Sequence, residues 1–334
     1  MLADWQPTAS LANLRLRAEL LKQVRALFDA RGFLEVETPL LCADTVIDAH
    51  IDPLSVTLAQ AGRHDPSACR LWLQTSPEQC MKRLLAFGAE AIYQISRAFR
   101  AGEGGPWHNP EFTLVEWYRV GDGTQEGIAL LSAVAEELLG RGAAEQLSYG
   151  AAFQQHAGVD PLRATEDDFV AAARRHEVPI PPPAKGDAAA VDEQAKLDAW
   201  RELLLVEVVA PRLGRNTPTI VHDFPASQAA LAQMRAGDPP VAERFELFVD
   251  GLELANGYHE LLDADELIER GERANHIRTS LGKQQLPRPQ KLLDAMRHGM
   301  PAASGCALGF DRLVALVAGA GKLADVWPFP TDRA

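Results

Sequence analysis

The segment SGCALGFDRL, residues 304–313, carries the strongest indication of fold in this chain. Side chains alternate across a strand, so the small residues at 305, 307 and 309 fall on one face. Glycine weakens a strand interior, and this pattern therefore indicates the close approach of a flat or bulky ligand. Arg312 would lie at the following strand-to-helix junction, facing the cleared surface. The alternative is a strand packed tightly under a helix.

Composition limits the class of protein. The chain has 334 residues, enough for one large domain with an insertion or for two domains that share a core. Its formal net charge is -13, from 46 acidic and 33 basic residues. This balance argues against nucleic-acid binding through a generally basic surface, although it does not by itself exclude an RNA substrate.

The cysteines and the N-terminus indicate a cellular compartment. Cysteines stand at positions 42, 69, 80 and 306, with neither a CxxC pair nor the spacing of a zinc site. We interpret them as reduced thiols. The segment MLADWQPTAS lacks the basic start and apolar run of a signal peptide, and no stretch approaches membrane-spanning length. A cytoplasmic protein without membrane attachment is predicted.

Two helix starts are predicted in the N-terminal third. An amphipathic helix over 14–31 would bury a stripe that includes Leu20, Val24, Leu27 and Phe28. A strand within 33–39 then ends at a proline, as strands at an edge or boundary do. A second helix is predicted to start with Ser76 as N-cap, Pro77 at the first helical position and Glu78 in the first turn.

The rest of the chain predicts the architecture. Residues from about 126 to 210 indicate a peripheral helical insertion, interrupted by a polyproline-type connection at 178–187. Strands are predicted at 218–222, 244–249 and 251–255, the last two joined as a hairpin at Asp250-Gly251. Because few parallel βαβ units are visible, we expect an α+β fold with a mostly antiparallel sheet flanked by helices.

Two further groups of residues suggest chemistry. Arg100 ends one predicted strand and Phe112 opens the next, so a guanidinium could grip a phosphate while a ring stacks on a base. A surface hairpin with a salt bridge is the alternative. Carboxylates at 246, 253 and 260 lie on adjoining strands, where a pair would suit Mg²⁺ bound to nucleotide phosphates. A solvated acidic face would look the same.

Several motifs in order resemble those of one family. FR…E, HNPEFT and GxALGxDR resemble motifs 2 and 3 of class II aminoacyl-tRNA synthetases, and residues 32–39, GFLEVETP, resemble motif 1. TSPE, RFEL and ELANGYHEL narrow the resemblance to the lysyl branch. The resemblance implies a single catalytic domain over 1–334, with no N-terminal OB-fold for the tRNA anticodon. The chain is thus similar to stand-alone lysyl-type paralogues that ligate (R)-β-lysine to a lysine of translation elongation factor P.

This resemblance implies a mechanism and a set of site residues. The amino acid carboxylate would attack the α-phosphate of ATP, pyrophosphate would leave, and an amine would attack the acyl-adenylate. Arg100 and Arg312 are the implied catalytic residues. The implied ATP-binding residues are Arg100, Ala101, Gly102, Glu103, Asn109, Phe112, Glu246, Leu247, Gly309 and Arg312, with Glu246 and Glu253 as Mg²⁺ ligands. The implied amino-acid pocket consists of Ser76, Pro77, Glu78, Tyr118, Glu253, Asn256, Glu260 and Ala307.

Two positions depart from the pattern of the tRNA-charging enzymes. Gly102 occupies the usual place of the motif 2 glutamate, and Glu103 follows it as a possible replacement. Ala307 stands where those enzymes have glycine. Its methyl group should reshape the floor of the amino-acid pocket, which suits a β-amino acid, although one methyl group is worth only about 1–3 kcal/mol of discrimination.

Other functions compete with this interpretation. A truncated synthetase that charges tRNA is disfavoured by the missing domain and the acidic charge, so tRNA is not the expected partner. A free-standing asparagine synthetase would need an aspartate pocket, against which HNPEFT and ELANG argue. A non-catalytic regulatory module would be expected to lose an ATP-site arginine or carboxylate, and all are present. By the resemblance, the helix and strand of motif 1 also predict a homodimer.

Overall fold

The computed structural model describes residues 5–57, 70–180 and 193–334. Cys69 and most of the predicted polyproline connection lie outside these residues. The chain divides into two compact units, one of residues 1–122 with 261–334 and one of residues 123–260, hereafter unit 1 and unit 2. None of the helices in the described ranges is long and apolar enough to cross a lipid bilayer.

In its described residues, unit 1 begins with two helices and six strands. These are α1 (Leu11–Ala30), β1 (Leu34–Glu35), β2 (Leu41–Cys42), β3 (Ser55–Thr57), β4 (Arg70–Leu73), α2 (Glu78–Ala86), β5 (Ala91–Phe99) and β6 (Glu111–Val120).

Unit 2 follows and carries four helices and five strands in its described part. These are α3 (Thr124–Leu139), β7 (Glu145–Ser148), α4 (Tyr149–His156), α5 (Glu166–Arg175), α6 (Glu193–Leu204), β8 (Thr219–Pro225), β9 (Met234–Arg235), β10 (Val241–Val249) and β11 (Leu252–His259). The chain then returns to unit 1 with α7 (Ala264–Ser280), α8 (Gln290–Gly299), β12 (Ala303–Gly309) and α9 (Phe310–Ala318).

Most strand pairs are antiparallel in both units. In unit 1, β6 lies between β5 and β12 and is antiparallel to both, while the short β1 adds in parallel to β5. Strand β4 pairs with β2 and β3 in a separate small sheet. In unit 2, β10 is antiparallel to β11, β8 and β9, and β7 is parallel to β8. The α+β prediction is confirmed.

Helix α1 carries the predicted apolar stripe, but the stripe is covered within unit 1. Leu20, Val24, Leu27 and Phe28 are all buried. The Phe28 ring stacks on Tyr93 at 4.7 Å between centroids and also contacts two other aromatic rings of the unit. The stripe is therefore covered within unit 1 and offers no apolar surface to a second subunit, so the homodimer stays a prediction that these four residues do not support.

Helix α2 starts one residue later than predicted. It begins at Glu78, and Pro77 rather than Ser76 is the N-cap residue. The Ser76 hydroxyl still accepts a hydrogen bond from the Glu78 amide at 3.1 Å, but it donates its own proton to Glu116. Apolar residues of α2 pack against Ile92 and Tyr118 on the neighbouring strands, which fixes the helix over this part of the sheet.

Residues 126–210 hold helices α3 to α6, and also strand β7, which the sequence did not predict. Tyr149, Phe153 and Phe169 from this range are fully buried in one hydrophobic core with Val221 and Phe224 of β8. These helices therefore supply a large part of the core of unit 2. The predicted hairpin turn is present, since Asp250 and Gly251 both have positive φ, as a two-residue turn of type I′ requires.

Candidate active site

One face of the unit 1 sheet is kept open by small residues. In the register of β12 with β6, Gly305 lies opposite Tyr118, Ala307 opposite Glu116 and Gly309 opposite Leu114. Directly opposed residues point to the same face of an antiparallel pair. The predicted strand and the following helix α9 are both present. The cleared face lies beside the carboxyl and phenol groups of β6.

Glu116 is a central residue of this face and was missed in the sequence. Its side chain is 1% exposed. The Ser76 hydroxyl donates to its Oε2 at 2.8 Å, and the Tyr118 hydroxyl donates to its Oε1 at 2.7 Å. The period-two alternation of β6, which places 112, 116 and 118 on one face, was the signal that could have identified it.

Burial makes Glu116 titrate near neutrality. Loss of hydration and then the nearby charge of Glu78 raise the pKa of Glu116 to about 7, against the opposing effect of its two hydroxyl donors. A second positive charge placed beside this carboxyl would favour its ionised form. The site is therefore electrostatically ready for a cationic ligand.

Glu78 is paired within the same cluster. The Lys82 ammonium lies 2.5 Å from Glu78 Oε1, one helical turn along α2, with side-chain exposures of 3% and 11%. Ser76, Glu78, Lys82, Glu116 and Tyr118 are hereafter the carboxyl cluster. It holds two carboxyl groups and one ammonium, so a ligand ammonium would balance the remaining negative charge. The sequence predicted Ser76, Glu78 and Tyr118 for this pocket but neither Lys82 nor Glu116.

Arg100 and Phe112 meet as predicted at the end of β5 and the start of β6. The guanidinium carbon of Arg100 lies 4.9 Å from the centre of the Phe112 ring. Arg100 Nη1 also lies 3.5 Å from a carboxylate oxygen of Glu103, while its buried Nε has no hydrogen-bond partner among the described residues. One buried donor of Arg100 is therefore left without a hydrogen-bond partner in the described part of the chain.

The backbone explains the departure at position 102. Gly102 has a φ of +77°, in the left-handed region where a side chain is strained. A glutamate at this position would be strained, and Glu103 faces Arg100 instead. Glu103 therefore supplies a carboxylate one residue further along the loop than in the usual motif.

Arg312 lies in the first turn of α9, whose N-cap residue is Gly309. Its Nε donates to the Trp107 carbonyl at 3.3 Å, and its Nη2 lies 2.9 Å from His108 Nε2. Asn109, on the same loop, donates to the Glu111 carbonyl and accepts from the Thr331 amide. These contacts hold the loop between β5 and β6 against the C-terminal segment.

Of the predicted acidic residues of unit 2, Glu246 and Glu253 interact with each other. The Glu246 side chain is buried and forms an ion pair with Arg244 Nη2, while Asn256 Nδ2 donates to its Oε1 at 3.2 Å. Burial first, and then the charge of Glu253, raise the pKa of Glu246, while Arg244 opposes that rise. Leu247 follows on β10 opposite Ala255, and Glu260 is buried just beyond the end of β11.

A β-bulge brings Glu253 into this group. Glu246 pairs with Asn256 and Leu247 with Ala255, but Phe248 pairs with Glu253, so that Leu254 is the extra residue. Without the bulge, Glu253 and Asn256 would point to opposite faces, because they are three positions apart. The inserted residue places Glu253 on the face of Glu246. Simple alternation along the sequence would have excluded that pairing.

Comparisons with known proteins identify the family of the chain. Residues 2–333 match the family model described as tRNA synthetases class II (D, K and N). The chain is 43% identical over 332 residues, 99% of both proteins, to the elongation factor P–(R)-β-lysine ligase of Yersinia enterocolitica. It is 43% and 44% identical, over the same length and shares, to the proteins of the same name from Salmonella arizonae and Salmonella dublin.

Proposed function

The chain belongs to the class II tRNA synthetases of the D, K and N group, and from this premise we propose that it is an AMP-forming ligase for elongation factor P. It would activate (R)-β-lysine, or lysine, with ATP and transfer the acyl group to the ε-amino group of a lysine of that protein. The carboxyl cluster carries this proposal, because it is a buried, net-acidic site suited to an amino acid that bears ammonium groups.

The first half-reaction forms an acyl-adenylate. A carboxylate oxygen of the amino acid attacks the α-phosphorus of ATP, the bond to the bridging oxygen breaks, and pyrophosphate leaves with its electron pair. Arg100 would bind phosphate oxygens, since its planar guanidinium suits bidentate contacts and lies beside the Phe112 ring. Phe112 offers the ring on which adenine stacks. Catalysis then comes mainly from alignment and charge stabilisation.

The second half-reaction forms an amide. The neutral ε-amine of the acceptor lysine attacks the acyl carbon, AMP leaves, and the amine loses a proton. Throughout, the carboxyl cluster holds the ammonium end of the bound amino acid, which orients its carboxyl group toward the phosphate. An uncharged analogue would leave the buried carboxyl of Glu116 without this partner, so selectivity for a cationic substrate follows.

Mg²⁺ fits the acidic group of unit 2. Glu246 and Glu253 share a face, and the charge of Glu253 raises the pKa of Glu246, which is the repulsion that a cation would relieve. Among the described residues, no group of three or more acidic, histidine or cysteine side chains could hold a metal ion. Mg²⁺ commonly takes one or two carboxylates and completes its shell with water and phosphate. Its role would be to neutralise phosphate charge.

The cross-strand neighbour of Glu116 bears on the choice between lysine isomers. Ala307 lies directly opposite Glu116. Its methyl group therefore reduces the space for a ligand beside the Glu116 carboxyl, where tRNA-charging enzymes have glycine. This favours the shifted amino group of β-lysine.

We also propose that the protein is a homodimer, because apolar side chains at motif 1 are exposed in one chain. Leu34 and Leu40, in and beside motif 1, are 63% and 40% exposed in one chain.

The test is acceptor-dependent AMP release. Purified protein, ATP, Mg²⁺ and either α- or β-lysine would be incubated with elongation factor P or with lysine tRNA. A mass gain on elongation factor P, without charging of tRNA, is the expected result. Charged tRNA with unmodified elongation factor P would instead identify a minimal synthetase, and a lack of ATP–pyrophosphate exchange with either isomer would identify a non-catalytic module.

A further inference from the structure

Arg278 on α7 is a buried arginine that lies outside the residues assigned above. Its side chain is 3% exposed, and its guanidinium donates hydrogen bonds to a short loop of unit 1. Nη1 donates to the carbonyls of Asp48 and Ile51 at 3.0 and 2.9 Å. Nη2 contacts Asp52 Oδ1 at 2.9 Å. One guanidinium therefore fixes three points of residues 48–52, hereafter the clamp loop.

The clamp loop is reinforced by two further charges. Lys283 Nζ lies 2.9 Å from Asp52 Oδ2, so both carboxylate oxygens of Asp52 are held by cations. Asp48 Oδ1 accepts from the amides of His50 and Ile51 at 2.7 and 2.9 Å, which closes a tight turn. The position of the Asp52 backbone is thus set from several sides.

That backbone contacts the loop between β5 and β6 at Ala101. The Ala101 amide donates to the Asp52 carbonyl at 2.6 Å, in an isolated antiparallel bridge. The neighbouring Arg100 amide donates to the Pro110 carbonyl at 2.9 Å. The hairpin between β5 and β6 is therefore tied on one side to its own second strand and on the other to the clamp loop. Arg100 lies between the two ties.

We propose that Arg278 is a positioning residue for ATP activation, which acts through the clamp loop to hold Ala101 and so to aim the Arg100 side chain. The inference rests on the proposed function, because it assigns Arg100 to phosphate binding. Displacement of a phosphate-binding group by about 1 Å costs on the order of 100-fold in rate, so a rigid support for Arg100 matters. A lysine could pair with Asp52 but could not bind both carbonyls, since it lacks the planar fork.

Four full-length proteins test the proposal: wild type, Arg278→Lys, Asp52→Asn and Arg273→Ala. Asp52→Asn keeps the carbonyl that Ala101 uses and removes the charge that Arg278 and Lys283 hold. Arg273 is the matched control, because it lies on the same helix in an exposed pair with Glu269, 3.9 Å apart. Lysine-dependent ATP–pyrophosphate exchange gives KM separately for ATP and for the amino acid. Hydrogen–deuterium exchange of the peptide that contains Ala101 reports on the tie itself.

In Arg278→Lys and Asp52→Asn we expect KM for ATP to rise about tenfold, with KM for the amino acid changed less than about twofold. The Ala101 amide should exchange faster in both variants, and both should still unfold cooperatively on heating. Arg273→Ala should match wild type throughout. Unchanged exchange at Ala101, or equal rises in both KM values, would overturn the proposal. If wild type itself gave no pyrophosphate exchange, the proposed function would fail. Hydrogen–deuterium exchange at the Ala101 amide would then still show whether Arg278 holds Ala101 through the clamp loop.

Discussion

Ala307 and Glu116 are direct cross-strand neighbours on β12 and β6, so the methyl group and the carboxyl point to the same face of the sheet. Position 307, one of the two at which this chain departs from the tRNA-charging enzymes, therefore adjoins the buried carboxyl that we assign to ammonium binding. The size of residue 307 and the placement of the substrate ammonium are linked by this contact.

Removal of that methyl group should change the isomer preference. In Ala307→Gly we expect the ratio of kcat/KM for β-lysine to that for α-lysine to fall by about tenfold, because one methyl group is worth about 1–3 kcal/mol. Pyrophosphate exchange with each isomer measures the ratio. Leu308 is buried on the same strand, and Leu308→Met is a size-conserving control that should keep the wild-type ratio. An unchanged ratio in Ala307→Gly would refute the role of the methyl group.

Amino-acid binding should depend on pH through Glu116. Its pKa is raised to about 7, so in the free enzyme the carboxyl is protonated below that pH and ionised above it. The ionised form is the one that binds an ammonium. KM for the amino acid should therefore rise as pH falls from 8 to 6, and in Glu116→Gln it should be high and independent of pH in this range. Persistence of the pH dependence in that variant would count against the assignment.

Lys82 should be needed for stability because it neutralises Glu78. Lys82→Met leaves a buried carboxylate without its partner, and we expect a loss of about 3–5 kcal/mol in the free energy of unfolding. The double variant Lys82→Met with Glu78→Gln should recover most of this loss, since no isolated charge remains. Urea denaturation followed by circular dichroism measures both. Equal destabilisation of the single and double variants would show that the pair is not the cause.

The Mg²⁺ requirement should depend on Glu253. Glu253→Gln removes one carboxylate from the face of Glu246, and the Mg²⁺ concentration for half-maximal pyrophosphate exchange should rise about tenfold or more. Glu243→Gln is the matched control, because Glu243 lies on β10 and its carboxylate contacts His259 at 2.5 Å. The proposed ligand role fails if both variants need the same Mg²⁺ concentration as wild type.

We expect the protein to be a homodimer in solution. Sedimentation equilibrium at micromolar concentration should give twice the mass of one chain. Because Leu34 is exposed and apolar, Leu34→Asp should shift the protein toward monomer, whereas Arg273→Ala, an exposed change on α7, should not. A monomeric wild type would exclude the homodimer at that concentration.

The fold was largely readable from local patterns. The stripe of α1, the small residues of β12 and the Asp250-Gly251 turn follow from helical period, strand alternation and backbone sterics, and each is present in the structure. What the stripe packs against did not follow. An apolar face must be covered, but the residues that cover it, such as Tyr93, are distant in sequence. No local pattern identifies them.

Some features of the candidate site could likewise be predicted from the sequence, whereas others depend on the tertiary structure. Motif residues such as Arg100 and Phe112 are close in sequence, and strand pairing alone predicts that they meet. Glu116 accepts a hydrogen bond from Ser76, which is 40 positions away in the sequence, and its pKa depends on burial that only folding creates. Glu253 reaches the face of Glu246 through a bulge of one residue that alternation cannot show. Residue types and local periods are therefore encoded along the chain, whereas charge states and cross-strand neighbours arise from contacts between segments that are distant in sequence.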